Sequence, residues 1–129
     1  MMAKDIMTKE IVTVDLSTSV KGLAKVLTQQ QISGAPVINK KGQMVGVVSE
    51  GDIVAKRGKQ VKDIMTKKVI AINEDTPLEE IASLMATHKI KRLPVMRGKE
   101  LVGIVSRADI VGAIASGRHI ASHTPIYDF

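Results

Sequence analysis

Apolar residues in the first half of this chain alternate between the spacing of helices and the spacing of strands. A β-branched run is typical of a strand, and apolar positions three and four residues apart indicate a helix. Val20, Leu23, Ala24 and Leu27 have that helical spacing. The predicted elements are a strand at 11–14, a helix capped by Thr18 and stopped by Ser33-Gly34, strands at 35–38 and 44–48 that form a hairpin across 39–42, and a short helix at 51–56.

The second half predicts the same order of elements. Thr76, Pro77 and Glu79 are typical of a capping box with proline at the first helical position. The predicted elements are a strand at 69–72, a helix with its apolar face at Leu78, Ile81, Ala82, Leu84 and Met85, strands at 93–96 and 101–105 that pair across 97–100, and a helix from about Ala108 to near Gly117.

Three sequence markers occur once in each half. Asp-Ile-Met-Thr at 5–8 returns at 63–66, Pro36-Val37 returns as Pro94-Val95, and the Gly-x-x-Ser-x-x-Asp stretch at 46–52 returns at 103–109. A deletion of one residue in the first turn keeps the halves in register. A repeat of this size is too small to bury its own apolar face, so the two copies should pack on each other and form a cleft with near two-fold symmetry.

The sequence therefore predicts an α+β fold of two tandem β-α-β-β-α repeats related by pseudo-two-fold symmetry. The predicted parts are a first repeat at 4–56, a linker at 57–61, a second repeat at 62–115 and a C-terminal tail at 116–129. The tail contains both aromatic residues of the chain, Tyr127 and Phe129. We therefore expect it to dock on its own body or on a dimer partner.

Composition and charge narrow the classes of function. The chain has no cysteine, so its 129 residues offer no disulfide, thiolate nucleophile or zinc–thiolate site. It lacks the apolar stretch of a signal peptide and any apolar run near the ~20 residues that span a bilayer, so we expect a cytoplasmic protein with no membrane partner. The net charge of +6 favours anionic partners such as nucleotide phosphates, nucleic acid or an acidic protein. A lysine-rich solvated surface explains the charge equally well.

The sharpest local motif is Ser49-x-x-Asp52, which returns as Ser106-x-x-Asp109. In both copies a buried strand ends, a hydroxyl follows, and a carboxylate lies in the first turn of a helix. A carboxylate can accept both hydroxyls of a ribose, while a serine hydroxyl and free helix amides suit a phosphate. The same pattern is also a helix-capping signature, so the motif alone leaves both interpretations open.

The residues before the second strand of each repeat differ in charge. Lys91-Arg92 precedes Leu93-Pro94, whereas Ser33-Gly34 occupies the matching place in the first repeat. Two adjacent cations suit a phosphate, and a solvated basic turn is the alternative.

These repeated markers together resemble a pair of cystathionine-β-synthase (CBS) domains over roughly residues 4–115. The resemblance rests on the Asp-Ile-Met-Thr opening, the Ala-Pro-Val and Leu-Pro-Val strands, and the Gly-x-x-Ser-x-x-Asp ending, which follow in the same order in both halves. It implies a regulatory module that binds an adenosyl ligand, such as AMP, ADP, ATP or S-adenosylmethionine, in the cleft between the repeats. It also implies a homodimer.

The resemblance further implies a role for individual residues. The ribose would be held by Asp52 and Asp109, the ribose or phosphate would be contacted by Ser49, Ser106, Lys91 and Arg92, and the base pocket would be lined by Val12, Ile70, Gly34, Ala35, Pro36, Leu93 and Pro94. Because Ser33-Gly34 departs from the basic pattern, the two sites need not bind phosphate equally well.

No catalytic constellation can be assembled from the motifs, so the sequence predicts a non-catalytic protein that requires no cofactor and signals to an unidentified effector protein. One alternative is a basic nucleic-acid-binding protein, which the scarcity of aromatic residues for base stacking opposes. Another is a purely structural dimerisation module. His119 and His123 have the spacing of a two-histidine metal site, but the lack of a third ligand nearby and the preceding Gly117 argue against a metal.

Overall fold

The computed structural model of the chain describes residues 1–116 and contains six helices and six strands in that range. The helices are α1 (Ala3–Ile6), α2 (Val20–Gln30), α3 (Glu50–Ala55), α4 (Val61–Ile64), α5 (Leu78–His88) and α6 (Arg107–Ala115). The strands are β1 (Val14–Asp15), β2 (Gly34–Ile38), β3 (Met44–Ser49), β4 (Ile72–Asn73), β5 (Arg92–Arg97) and β6 (Glu100–Ser106). The predicted helical and hairpin elements of each half are all present, with their ends shifted by a few residues.

The strands form two three-stranded sheets with the same order, β1-β2-β3 and β4-β5-β6. In each sheet the first strand is parallel to the second, with Val14 opposite Val37 and Ile72 opposite Val95. Strands β2 and β3 are antiparallel, and the short turn between β5 and β6 makes the equivalent hairpin in the second sheet. The predicted α+β fold with two tandem repeats is therefore confirmed.

Each sheet has its own hydrophobic core of aliphatic and methionine side chains. In the first sheet's cluster the buried residues are Val14, Leu23, Leu27, Ala35, Val37, Val48, Val61 and Ile64. In the second sheet's cluster they are Ala3, Ile72, Leu78, Ile81, Met85, Leu93, Val95, Val105 and Ile110. Each cluster thus includes residues from a short helix, α4 or α1, that belongs to the sequence of the other repeat.

The short helices are exchanged between the two compact units into which the chain divides. The first unit comprises 1–10, 71–98 and the described residues from 102 onward, and the second comprises Ile11–Ile70 and Lys99–Leu101. In the first unit the Ala3 N–H donates to the Thr76 carbonyl at 2.9 Å, and in the second the Val61 N–H donates to the Thr18 carbonyl at 2.8 Å. Each unit is therefore completed by the Asp-Ile-Met-Thr segment of the other repeat.

Two predicted helix caps are wrong. Ser19, not Thr18, caps α2, since its Oγ accepts from the Gly22 N–H at 2.9 Å. Pro77 is the N-cap of α5, and the Thr76 Oγ1 accepts instead from the Asn73 N–H at 3.1 Å in the preceding turn. In both repeats the threonine carbonyl accepts from an exchanged helix, which holds the threonine outside the first turn of the helix that follows.

The predicted first strands are wrong in extent as well. The β-branched run at 11–14 contributes only Val14 to β1, and the run at 69–72 contributes only Ile72 to β4. Each of these strands has two residues because only two pair with the neighbouring strand. No helix within residues 1–116 is both long and apolar enough to cross a membrane.

Candidate functional site

Each hairpin ends in a Ser-x-x-Asp loop that begins the last helix of its repeat; we name them the first loop (49–52) and the second loop (106–109). In the first loop the Asp52 Oδ2 accepts from the Ser49 N–H at 3.0 Å, and the Ser49 Oγ accepts from the Asp52 N–H at 3.4 Å. In the second loop the equivalent distances are 2.8 Å and 3.1 Å. Both loops are capping boxes, so the capping interpretation of the motif is confirmed in both copies.

The two loops differ in the partners of the aspartate's second carboxylate oxygen, Oδ1. The Asp52 Oδ1 lies 2.8 Å from the Lys56 Nζ and accepts from the Thr66 Oγ1 at 3.5 Å. The same Nζ donates to the Ile64 carbonyl at 3.1 Å. The Asp52 side chain is only 12% exposed. A ribose hydroxyl could reach this oxygen only if it displaced the ammonium group of Lys56.

The Oδ1 of Asp109 has no hydrogen-bond or ion-pair partner among residues 1–116, because Ala113 occupies the position that corresponds to Lys56. A pocket of about 300 Å³ opens beside this carboxylate. Its walls include Asp5, Ile6, Met7, Ala113 and Ser116. Among the described residues, the second loop therefore has one acceptor without a partner where the first loop has an internal ion pair.

The glycine within the second strand of each hairpin makes room for an exchanged segment. A Cβ on Gly46 would lie 2.7 Å from the Thr66 carbonyl oxygen, and a Cβ on Gly103 would overlap the side chain of Met7. Backbone pairs complete this contact, since the Thr66 N–H donates to the Val47 carbonyl at 2.8 Å. These glycines are required by close approach of the chain to itself.

The segment before the second strand lies against the loop of its own repeat. The Arg107 N–H donates to the Lys91 carbonyl at 3.0 Å, and the Glu50 N–H donates to the Ser33 carbonyl at 2.9 Å. The backbone of the basic pair Lys91-Arg92 is thereby placed at the start of α6, and that of Ser33-Gly34 at the start of α3. Lys91 and Arg92 are both exposed.

The residues that the resemblance assigns to a base pocket differ in how much of their surface is exposed. The side chains of Ala35, Pro36, Leu93 and Pro94 are buried, and those of Ala35 and Leu93 belong to the two cores. A ligand could meet these positions mainly through their backbone. Gly34 and Val12 are half-buried and Ile70 is 38% exposed, so these three retain surface that a base could cover.

Residues 1–116 contain no group of three or more His, Asp or Glu side chains arranged to hold a metal ion. The histidine pair His119 and His123, and the aromatic end of the predicted tail, lie outside the described residues.

The family model of the CBS domain matches the chain twice, at residues 3–58 and 61–116. The chain belongs to the CBS-domain family. Both matched segments contain one sheet-forming hairpin and one Ser-x-x-Asp loop, so this protein has a tandem CBS pair.

Solved structures with the same fold include CBS pairs with adenosyl ligands. CBSX2, a CBS-pair protein of Arabidopsis thaliana, is known in complex with AMP, is 32% identical and superposes with a TM-score of 0.86 over 92% of this chain and 98% of the other. The CBS pair of protein MJ0100, in complex with 5′-methylthioadenosine and S-adenosyl-L-methionine, is 30% identical with a TM-score of 0.78, again over 92% and 98%.

A curated enzyme also contains a similar segment. The inosine-5′-monophosphate dehydrogenase of Methanocaldococcus jannaschii is 33% identical over 112 residues, which are 84% of this chain and 23% of that enzyme. This CBS pair thus spans less than a quarter of the length of that relative.

Lys56, Thr66 and Met7 are the neighbours of the two loops that sequence reasoning missed. Thr66 and Met7 belong to the repeated Asp-Ile-Met-Thr marker, which was visible, but its place beside the opposite CBS repeat depends on the exchange of segments. Lys56 could have been found, because it lies four residues after Asp52 and that spacing brings charged side chains together on a helix.

Proposed function

We propose that this CBS pair is a non-catalytic regulatory module that binds an adenosyl ligand at the second loop, around Asp109. The observation that carries the proposal is that the Oδ1 of Asp109 has no partner among residues 1–116, while the Lys91 carbonyl accepts from the first residue of the same helix, Arg107. An acceptor for ribose hydroxyls and two donors for phosphate then lie at one helix start. AMP in CBSX2 and the adenosyl ligands of MJ0100 support the choice of ligand class.

In this proposal different residues of the second repeat contact different parts of the ligand. Asp109 accepts from the ribose, and Ser106 with Lys91 and Arg92 contacts ribose or phosphate. The base is covered by the backbone at Leu93 and Pro94. Ile70, the other residue assigned to the base pocket of this repeat, is 38% exposed.

The corresponding residues of the first repeat form a weaker site. They are Asp52 and Ser49, together with Val12, Gly34, Ala35 and Pro36. Lys56 already occupies the Asp52 carboxylate, and Ser33-Gly34 offers no cation. One ligand per chain, bound at the second loop, is therefore the expected stoichiometry.

Thermal melts of the purified chain with AMP, ATP or S-adenosylmethionine test the ligand class, and GMP serves as the control for the base. A ligand at 100 times its dissociation constant adds ~2.7 kcal/mol to the free energy of unfolding. We expect Asp109→Asn to remove the shift, because asparagine can keep the cap oxygen but loses the charge. Asp52→Asn should leave the shift nearly intact. No shift with any adenosyl ligand would refute the function, and equal losses in both variants would refute its assignment to the second loop.

The proposed regulatory output passes through a homodimer built on the last helices of the two repeats. Val54 in α3 is 88% exposed and Val111, its counterpart in α6, is 65% exposed. Ile114 in α6 adds a further side chain that is 41% exposed. Exposed apolar residues at the same position of both repeats are unfavourable in water. They support the proposal that a second copy of this chain covers these helices.

Light scattering after size-exclusion chromatography tests the dimer. Val54→Glu/Val111→Glu should give a folded monomer, whereas Lys21→Glu, which alters charge on the exposed side of α2, should leave the dimer intact. A monomeric wild-type protein at tens of micromolar would contradict this part of the proposal.

A further inference from the structure

The pocket beside Asp109 has a counterpart in the second unit, and that counterpart already holds a cation. There the Lys56 Nζ lies 2.8 Å from the Asp52 Oδ1, 3.1 Å from the Ile64 carbonyl and 3.4 Å from the Thr66 Oγ1. Three oxygen acceptors from two segments thus surround one ammonium group. Their number matches the three N–H donors of an ammonium ion.

Two of these three acceptors recur at the pocket of the first unit, which has no lysine there, and the third has a counterpart next to Met7 in sequence. Asp109, Ile6 and Thr8 are the repeat counterparts of Asp52, Ile64 and Thr66. Ile6 ends α1 as Ile64 ends α4, so its carbonyl likewise has no donor within its own helix. Both Ile6 and Asp109 line the pocket.

The position of the missing lysine is taken by Ala113, which also lines the pocket. The pocket volume of about 300 Å³ corresponds to roughly ten water molecules at ~30 Å³ each, which is enough for a short aminoalkyl group. The side chains of Met7 and Ala113 provide an apolar wall for the methylene groups.

We propose that this pocket binds the primary ammonium group of a small alkylamine, held as Lys56 is held in the second unit. A divalent metal fits less well, since the described part of the chain has no cluster of three metal-ligating side chains. The proposal does not depend on nucleotide binding, although Asp109 serves both sites. Its experiments are therefore run without nucleotide.

Methyl NMR of the protein with ¹³C-labelled methionine tests the proposal with an internal control. Met7 lines the pocket, and Met65 is its counterpart beside Lys56. Titration with n-butylammonium chloride should shift the Met7 signal saturably and leave Met65 in place. Tetramethylammonium chloride, which has no N–H donor, and n-butanol, which has no charge, should each leave Met7 in place.

Two variants separate specific binding from adsorption. Ala113→Lys supplies the ammonium internally and should abolish the response of Met7 to butylammonium. Asp109→Asn removes the charge but can keep the cap, and should weaken the response at least about ten-fold. Asp109→Asn also tests ammonium binding if Ala113→Lys fails to fold. The proposal is overturned if Met7 does not shift in the wild type, if Met7 and Met65 shift alike, or if tetramethylammonium gives the same titration.

Discussion

The first and second loops share their backbone hydrogen bonds but differ in what surrounds the carboxylate. Both are closed by a capping box, because the helix that follows needs its first amides satisfied whatever the protein binds. The residue four positions after the aspartate is Lys56 in the first copy and Ala113 in the second, and the segment that bonds the loop is Ser33-Gly34 in the first and Lys91-Arg92 in the second. Comparison of the two copies thus separates the interactions that maintain the fold from those available to a ligand.

Substitution of Gly46 or Gly103 by alanine has the largest expected effect, which is on the free energy of unfolding. Gly46→Ala places a methyl group against the Thr66 backbone carbonyl, which cannot move without breaking its contact with β3. The nearest atoms to the new methyl group of Gly103→Ala belong to the side chain of Met7, whose sulfur end can rotate away more easily than a backbone carbonyl can. Overpacking costs ~1–3 kcal/mol, so we expect about 3 kcal/mol for the first variant and about 1 kcal/mol for the second. Urea denaturation measures both, and equal costs would show that the two exchanged segments are packed alike.

The basic pair next to the second loop gives the next largest effect. We expect Lys91→Ala/Arg92→Ala to weaken binding of AMP or ATP by ~1.5–3 kcal/mol, because charged hydrogen bonds to phosphate are lost. Adenosine should bind almost as before. Lys40→Ala/Lys41→Ala removes the same charge from the exposed first hairpin turn and is the matched control in calorimetric titrations. An equal loss for adenosine would mean that the pair supports the fold and does not contact phosphate.

Removal of the internal ion pair makes the first loop resemble the second. We expect Lys56→Ala to lower the free energy of unfolding by about 1 kcal/mol, between the values for exposed and buried pairs, because Lys56 is 43% exposed. The same variant should add a second, weaker nucleotide site in calorimetry, since the Asp52 oxygen becomes accessible. Lys62→Ala, at an exposed position, should change neither quantity. A stoichiometry that stays at one would show that Lys56 is not what blocks the first loop.

The smallest expected effect is a change in the pKa of a carboxyl group at the end of the first strand of a sheet. In the second repeat, hydrogen bonds from Arg97 lower the pKa of Glu74 below its ordinary value of 4.5. In the first repeat, the hydrogen bond from the Ser17 backbone lowers the pKa of Asp15. We expect Arg97→Gln to raise the pKa of Glu74 and leave that of Asp15 unchanged in an NMR titration.

The sign of the accompanying pH dependence follows from the direction of the shift. Because folding lowers the pKa of Glu74, its stabilisation is complete above the unfolded value and is lost as the pH falls through the folded value. Arg97→Gln should therefore flatten the dependence of stability on pH in the acid range below about 4.5. A curve as steep as that of the wild type would show that Arg97 does not stabilise the ionised carboxylate.

The sequence predicted the hairpins and long helices because their signals are local. The periodicity of α2 and α5 and the turns with Gly42 and Gly98, both at positive φ, are visible in neighbouring residues. The caps at Thr18 and Thr76 were predicted wrongly because each threonine carbonyl accepts from a helix distant in the chain. Four-residue helices such as α1 are too short to show a period, so none was predicted there.

Part of the candidate site could be predicted because its signals are also local in the sequence. Asp109 and Lys91-Arg92 could be found from motif and charge, and the structure places them at one helix start. The pocket beside Asp109 could not be foreseen, since three of its seven lining residues, Asp5, Ile6 and Met7, are about a hundred positions away from Asp109 in the chain.

The exchange of short helices has a consequence for the order in which the protein can fold during synthesis. Thr8 pairs with Ile104, so almost the whole described chain must emerge before this bridge forms. The ten N-terminal residues are made first and reach their place last, and contacts this distant in sequence slow folding. A protein cut at the boundary between the repeats would leave each fragment without its short helix. Two such fragments, mixed in solution, should recover the Thr8 and Thr66 bridges together, which hydrogen exchange at those two amides would detect.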